Sequence, residues 1–251
     1  MLRSKERRRQ RIREQPFPDA WRDILEETVP LCRRLPLADR EELHGHIQVL
    51  LAEKHFEGAV GLDVTDNMKL IVLAQAAVLL LHRATDYFPK LVSILLYPDE
   101  YSVQEEEEIE DGVVAEITEA RVGESWSTGT LILSWEDVEH ELASDQQSVV
   151  LHEFAHQLDA ESGNANGAPI LADRELRRRW ADTMVAAFER LVAAADRDEE
   201  SLLDPYGAED PAEFFAVATE AFFLVPGDLK AQEPDLYAVL CDYFRQDPTQ
   251  W

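Results

Sequence analysis

Val149-Val150-Leu151-His152-Glu153-Phe154-Ala155-His156-Gln157-Leu158 carries two histidines four positions apart inside an apolar run. An α-helix turns once in about 3.6 residues, so i and i+4 share a face and both imidazoles reach one metal ion. Glu153 follows the first histidine, where a carboxylate can take a proton from a water activated by that metal. This is the H-E-x-x-H arrangement of zinc hydrolases. Buried histidines are costly without partners. Two of them facing one way, with a glutamate between, are hard to explain as packing.

A catalytic zinc site needs a third protein ligand and an open position for water. The extension H-E-x-x-H-x-x-G-x-x-H is absent: Asp159 replaces its glycine and Ser162 its third histidine. His44, His46, His55, His82 and His140 all lie upstream and read as ordinary core or surface histidines. The downstream segment Glu213-Phe214-Phe215-Ala216-Val217-Ala218-Thr219-Glu220-Ala221-Phe222-Phe223 is an apolar helix with two acids on it. Acids there are costly unless paired or metal-bound. Glu213 and Glu220 are seven apart and share a face. One can ligate the metal while the other orients a histidine, and spacing does not choose between them. Asp159 lies on the histidine face, but a third ligand from the same helix would strain a tetrahedral site, so it reads either as a residue that supports a ligand or as an anchor of the helix. Tyr206, seven residues before Glu213, reads either as a loop tyrosine or as a phenol placed to donate to an oxyanion.

Around this motif the chain is strongly acidic: 251 residues, 24 Lys and Arg against 51 Asp and Glu, a formal net charge of -27. Such a surface repels phosphate backbones and argues against direct nucleic-acid binding. The first residues are the exception, with Arg3, Lys5, Arg7, Arg8, Arg9, Arg11 and Arg13. Residues 1–15 read as a basic N-terminal tail, solvated and frayed in preference to a docking arm. No apolar stretch follows them, so no secretory signal is expected. The apolar run at 70–81 is too short to span a bilayer and contains Gln75. Two cysteines, Cys32 and Cys241, without C-x-x-C spacing, suit a reducing cytoplasmic setting.

Helices are predicted at about 19–28, 38–55, 66–83 with Thr65 as N-cap, 145–158, 173–195, 211–224 and 233–245. Strands are predicted at 91–97 and 129–135, with 101–103 as an extension and 58–61 as a loop or short strand. Glu105 to Glu108 read as a solvated acidic loop. The strands are too few for a doubly wound sheet. The expected fold is α+β and predominantly helical, a zincin-like single domain over 16–251. A small β-sheet lies beside the metal-binding helix, and the metal-site elements fall within 145–225.

Several stretches together resemble the Mlc titration factor A (MtfA) family of gluzincin-type zinc metallopeptidases. They are His152-Glu153-Phe154-Ala155-His156-Gln157-Leu158-Asp159, Asn164-Ala165-Asn166-Gly167, Asp204-Pro205-Tyr206 and Ala212-Glu213-Phe214-Phe215-Ala216-Val217. Leu35-Pro36-Leu37, Thr85-Asp86-Tyr87-Phe88-Pro89, Gly123-Glu124-Ser125-Trp126 and Phe244-Arg245-Gln246-Asp247-Pro248 extend the likeness over most of the chain. The family's metal site is similar to that of the lethal-factor protease domain. The resemblance implies His152, His156 and Glu213 as ligands of one zinc ion per chain, Glu153 as general base and Tyr206 as oxyanion donor. It also implies an aminopeptidase-like activity on peptide substrates, and a possible second role in sequestering a Mlc-like transcriptional repressor.

Overall fold

The computed structural model describes residues 2–99, 129–144 and 147–251. Three parallel strands, β1 (His55–Gly58), β2 (Ser93–Tyr97) and β3 (Thr130–Ser134), form one sheet in the order β1-β2-β3. His55 pairs with Ser93 and Ser93 with Thr130. Parallel neighbours cannot be joined by a tight turn. The chain therefore crosses from β1 to β2 through helix α5 (Asp66–Val78), which is buried over most of its length. Ile94, Leu96, Leu131 and Leu133 alternate inward and cover one face of the sheet.

The rest is helical: α1 (Leu2–Arg13), α2 (Asp19–Thr28), α3 (Pro30–Arg34), α4 (Leu37–Glu53), α6 (Trp135–Ser144), α7 (Val149–Ala160), α8 (Arg174–Ala195), α9 (Pro211–Leu224), α10 (Pro226–Gln232) and α11 (Pro234–Phe244). The α+β, mostly helical architecture read from the sequence is the one observed. Thr65 caps α5 by accepting from the Met68 amide, as expected. That helix ends earlier than predicted, because His82 takes a left-handed φ of 60° and gives its amide to Glu42 at 3.0 Å. The predicted last helix forms as α11, but a further short helix precedes it: Pro226, read as a stop, opens α10, since proline at a first helical position has no amide to lose. The segments 101–103, 105–108 and 123–126 lie outside the described residues.

The basic start is not a frayed tail. It forms α1, and Arg9 is 3% exposed. Its guanidinium grips Glu53 with both forks (Nε to Oε1 2.9 Å, Nη2 to Oε2 2.7 Å) and donates from Nη1 to Asp86 Oδ1 at 2.5 Å. Arg13 donates to the Tyr87 hydroxyl at 2.8 Å. The acids that make the chain acidic elsewhere supply the partners that order this segment.

The Arg9 hydrogen bond holds the Glu53 carboxyl below its ordinary 4.5. A lowered carboxylate pKa contributes stability above the unfolded value, and the contribution is lost as pH falls through the folded one. Arg9→Ala is expected to lower stability by about 2–4 kcal/mol at neutral pH. It should also flatten the loss of stability below pH 4.5 in urea unfolding. A midpoint and acid limb equal to wild type would show that α1 is not held by this contact.

Candidate active site

α7 and α9 pack against each other and carry the cluster. α7 starts at Ser148, whose hydroxyl accepts from the Leu151 amide. This sets its first turn at Val149, later than the predicted 145. α9 starts with Asp210, which accepts from the amides of Ala212 (2.7 Å) and Glu213 (3.0 Å) ahead of Pro211. The two starts bring His152, His156 and Glu213 together. His152 Nε2 lies 2.9 Å from Glu213 Oε2, His156 Nε2 lies 3.3 Å from the same oxygen, and the two Nε2 atoms are 3.2 Å apart. Among the described residues this is the one group of three such side chains whose donor atoms could hold a metal ion.

The donor chemistry fits a divalent cation. His152 Nδ1 faces Glu220 Oε1 at 2.9 Å, which places the ring proton there and leaves Nε2 with a lone pair. That lone pair meets a carboxylate oxygen and a second imidazole in a site where the His156 side chain is fully buried. Converging lone pairs repel unless a cation lies among them. A tetrahedral ion with nitrogen and oxygen ligands at about 2.0–2.1 Å separates them by about 3.3 Å, close to the spacing seen here. A proton can relieve the same repulsion. Burial opposes the His152 cation, but the hydrogen bonds to Glu213 and Glu220 override it and push the pKa up to about 10. Burial likewise opposes ionisation of Glu213, and the two histidines overcome it, bringing the carboxyl down to about 2.

The remaining sequence-nominated residues fall around this centre. Tyr206 stands on a one-turn 3-10 helix, Pro205–Ala208, with its ring 6.0 Å from that of His152. Asp204 fixes the turn by accepting the Tyr206 amide at 2.9 Å. Burial and the neighbouring charges of Glu213, Glu209 and Glu153 push the phenol up to about 12, so it is a neutral donor. Glu153 is half-buried on α7, and its charge acts on both His152 and Tyr206. Asp159 is not part of the cluster. It is fully buried and accepts the amides of Gly167 (2.6 Å) and Ala168 (2.9 Å), tying the following loop to the end of α7. Gly167 has φ +73°, and a Cβ there would lie 2.1 Å from the Pro211 carbonyl oxygen. The loop can therefore touch the start of α9 only through a glycine.

Three contacts that hold the start of α7 are not read from the sequence. Glu220 uses its second oxygen to accept the Ser148 amide at 2.7 Å. The Ser148 hydroxyl donates to Gln75 Oε1 at 2.7 Å, which explains the polar interruption of the apolar run in α5. Glu141 accepts the Val149 amide at 2.5 Å, and burial raises its carboxyl to about 7. Gln75 gave a signal, as an amide in a buried helix needs a partner. Glu141 gave none.

A mostly helical α+β fold thus brings two histidines and a glutamate together from two packed helices as a group that could hold a metal ion. Residues 3–245 match the family model described as glucose-regulated metallo-peptidase M90, and the chain belongs to that family. An uncharacterized protein of Synechocystis sp. is 36% identical over 244 residues, covering 96% of this chain and 89% of the relative. Mlc titration factor A of Yersinia pestis is 29% identical over 231 residues, 91% of this chain and 84% of its own. The protein of that name from Yersinia pseudotuberculosis matches equally.

A carboxylate that orients a ligand histidine typically changes metal affinity about 10- to 100-fold when removed. Glu220→Ala is expected to weaken metal binding by that factor in competition with a chromophoric chelator, and to lower the melting temperature by freeing the Ser148 amide. Unchanged affinity would assign Glu220 to α7 alone.

Proposed function

We propose that this protein is a zinc peptidase of the gluzincin type, aminopeptidase-like and cytoplasmic, with His152, His156 and Glu213 as ligands, Glu153 as general base and Tyr206 as oxyanion donor. The observation that carries the reading is the meeting of the three ligand side chains beside Glu153 and Tyr206. A bound zinc ion would supply a water of lowered pKa and an electrophile for the scissile carbonyl. Glu153 takes the proton of the attacking water and delivers it to the leaving amine. Tyr206, neutral at physiological pH, donates its hydroxyl hydrogen to the carbonyl oxygen as negative charge gathers there. Glu220 holds His152 in the tautomer that presents Nε2.

An aminopeptidase must hold an α-ammonium. The negative charges of Glu209, Glu153 and Asp210 beside Tyr206 give the rim the sign that attracts one. β3 pairs with β2 on one side, and among the described residues no strand pairs with its other side. An extended peptide can add there by backbone hydrogen bonding. The cytoplasmic setting is supported by free Cys32 and Cys241. No helix among the described residues is long and apolar enough to cross a membrane.

A second reading draws on the printed name of the Yersinia relatives: the chain binds a Mlc-like transcriptional repressor, and peptidase action is secondary or switched by that partner. A pure binder has no use for Glu153. Co-purification of a repressor undisturbed by Glu153→Gln, with no cleavage by wild type, would favour this reading.

Zinc analysis and a panel of fluorogenic aminoacyl and peptide substrates test the peptidase. Glu153→Gln should keep about one zinc and lose about 100- to 10,000-fold in kcat. Tyr206→Phe should keep the metal and lose about 100-fold. Equal turnover by Glu153→Gln and wild type would remove the proposed base. Ile132→Pro should raise KM for peptides more than for single-residue amides; an unchanged KM would sink the pairing on β3.

A further inference from the structure

A second cavity, of about 380 Å3, is lined by Arg83, Arg179, Arg245, Asp173, Asp242 and Tyr243, among others. None of its lining residues belongs to the metal cluster. Three arginines at one cavity stand out in a chain whose acids outnumber its bases 51 to 24. Both aspartates are engaged. Asp242 holds Arg179 at 2.6 Å, and Asp173 accepts the Leu176 amide at 2.8 Å as the N-cap of α8.

Among the described residues neither of the other two arginines forms an ion pair as Arg179 does, although the charge of Arg83 acts on the largely buried Glu161. Arg83 lies over the Tyr243 ring, 4.1 Å from its centroid, and donates to the Leu79 carbonyl at 3.3 Å, so its fork is held in place. Arg245 follows α11 with φ 57° and ψ 36°. That left-handed position favours glycine, and any other residue there is strained. A glycine position is thus occupied by a long cation that reaches the cavity wall. Guanidinium forks match the geometry of carboxylate and phosphate oxygens. Ile170, Leu176 and the Tyr243 ring supply apolar wall beside them. The volume lies within the range of about 300–1,000 Å3 usual for small-molecule sites.

We propose that this cavity binds a small organic anion, its phosphate or carboxylate head on Arg83 and Arg245 and its apolar or ring portion against Ile170 and Ala172. The ligand site is separate from the metal centre and does not depend on the peptidase reading.

Isothermal titration of the metal-loaded protein with phenyl phosphate, benzoate and inorganic phosphate tests it. At least one ring-bearing anion should bind below about 1 mM, and phenyl phosphate should bind more tightly than inorganic phosphate. Whichever of phenyl phosphate and benzoate binds better identifies the head group. Arg245→Gly suits the left-handed backbone and should keep the melting temperature and metal content while weakening binding about tenfold or more. Arg83→Gln should do the same, and where it unfolds the chain, Arg245→Gly decides alone. Anion binding that is indifferent to Arg245→Gly places the ligand on the metal instead and overturns the proposal. So does absence of binding by all three anions up to about 10 mM.

Discussion

The carboxylate of Glu220 holds the site together because each of its oxygens is fixed to a different part of α7. Oε1 meets His152 Nδ1 at 2.9 Å and Oε2 takes the Ser148 amide at 2.7 Å. Hydrogen bonds to a charged group contribute about 1.5–3 kcal/mol each, and an acid left bare on an apolar helix costs more than either. The two contacts fix α9 against the start of α7 in one register. Glu213, two turns earlier on the same face of α9, then arrives at His152 and His156. Sliding one helix past the other would strand Glu220 and separate the metal donors together.

Other carboxylates do comparable work at the remaining ends of these helices. Asp159 gathers the amides of Gly167 and Ala168, and Trp180 Nε1 donates to the Gly167 carbonyl at 3.0 Å. Asp210 takes the amides of Ala212 and Glu213, so Glu213 is fixed through its own backbone. Phe154, between Glu153 and Ala155, meets Phe88 edge to face with centroids 4.8 Å apart. Lys90 donates to the Ala160 carbonyl at the end of α7. The histidine helix is held at its start, its middle and its end by side chains whose alternatives are buried and unsatisfied.

The parts legible in the sequence were those governed by local periodicity. Helices α2, α8 and α9 follow from apolar spacing and their flanking prolines and acids, and the pair His152 and His156 follows from one turn of helix. Ligand choice was not local. Glu213 and Glu220 have equivalent spacing, and what separates them is which oxygen meets Nε2 and which Nδ1 of one imidazole, a fact of tertiary packing. The basic start was misread for a related reason. Seven cations in thirteen residues read as solvated when their partners, Glu53 and Asp86, lie far along the chain. Glu141 was invisible because a glutamate on a half-exposed helix carries no mark of the Val149 amide it will meet.

Charge balance accounts for why this centre can sit in an interior. Glu213 and Glu220 bring two negative charges to a pair of histidines, and a divalent ion cancels both while leaving the imidazoles neutral. The same two carboxylates are what raise the His152 pKa to about 10 against the effect of burial. Glu153 stands beside this set on α7, where its charge acts on both His152 and Tyr206. Asp159, by contrast, is surrounded by backbone amides and could accept a proton only by giving up the loop that reaches the start of α9. Which acids hold structure here is therefore set by the backbone amides they satisfy: those of Gly167 and Ala168 for Asp159 and that of Ser148 for Glu220.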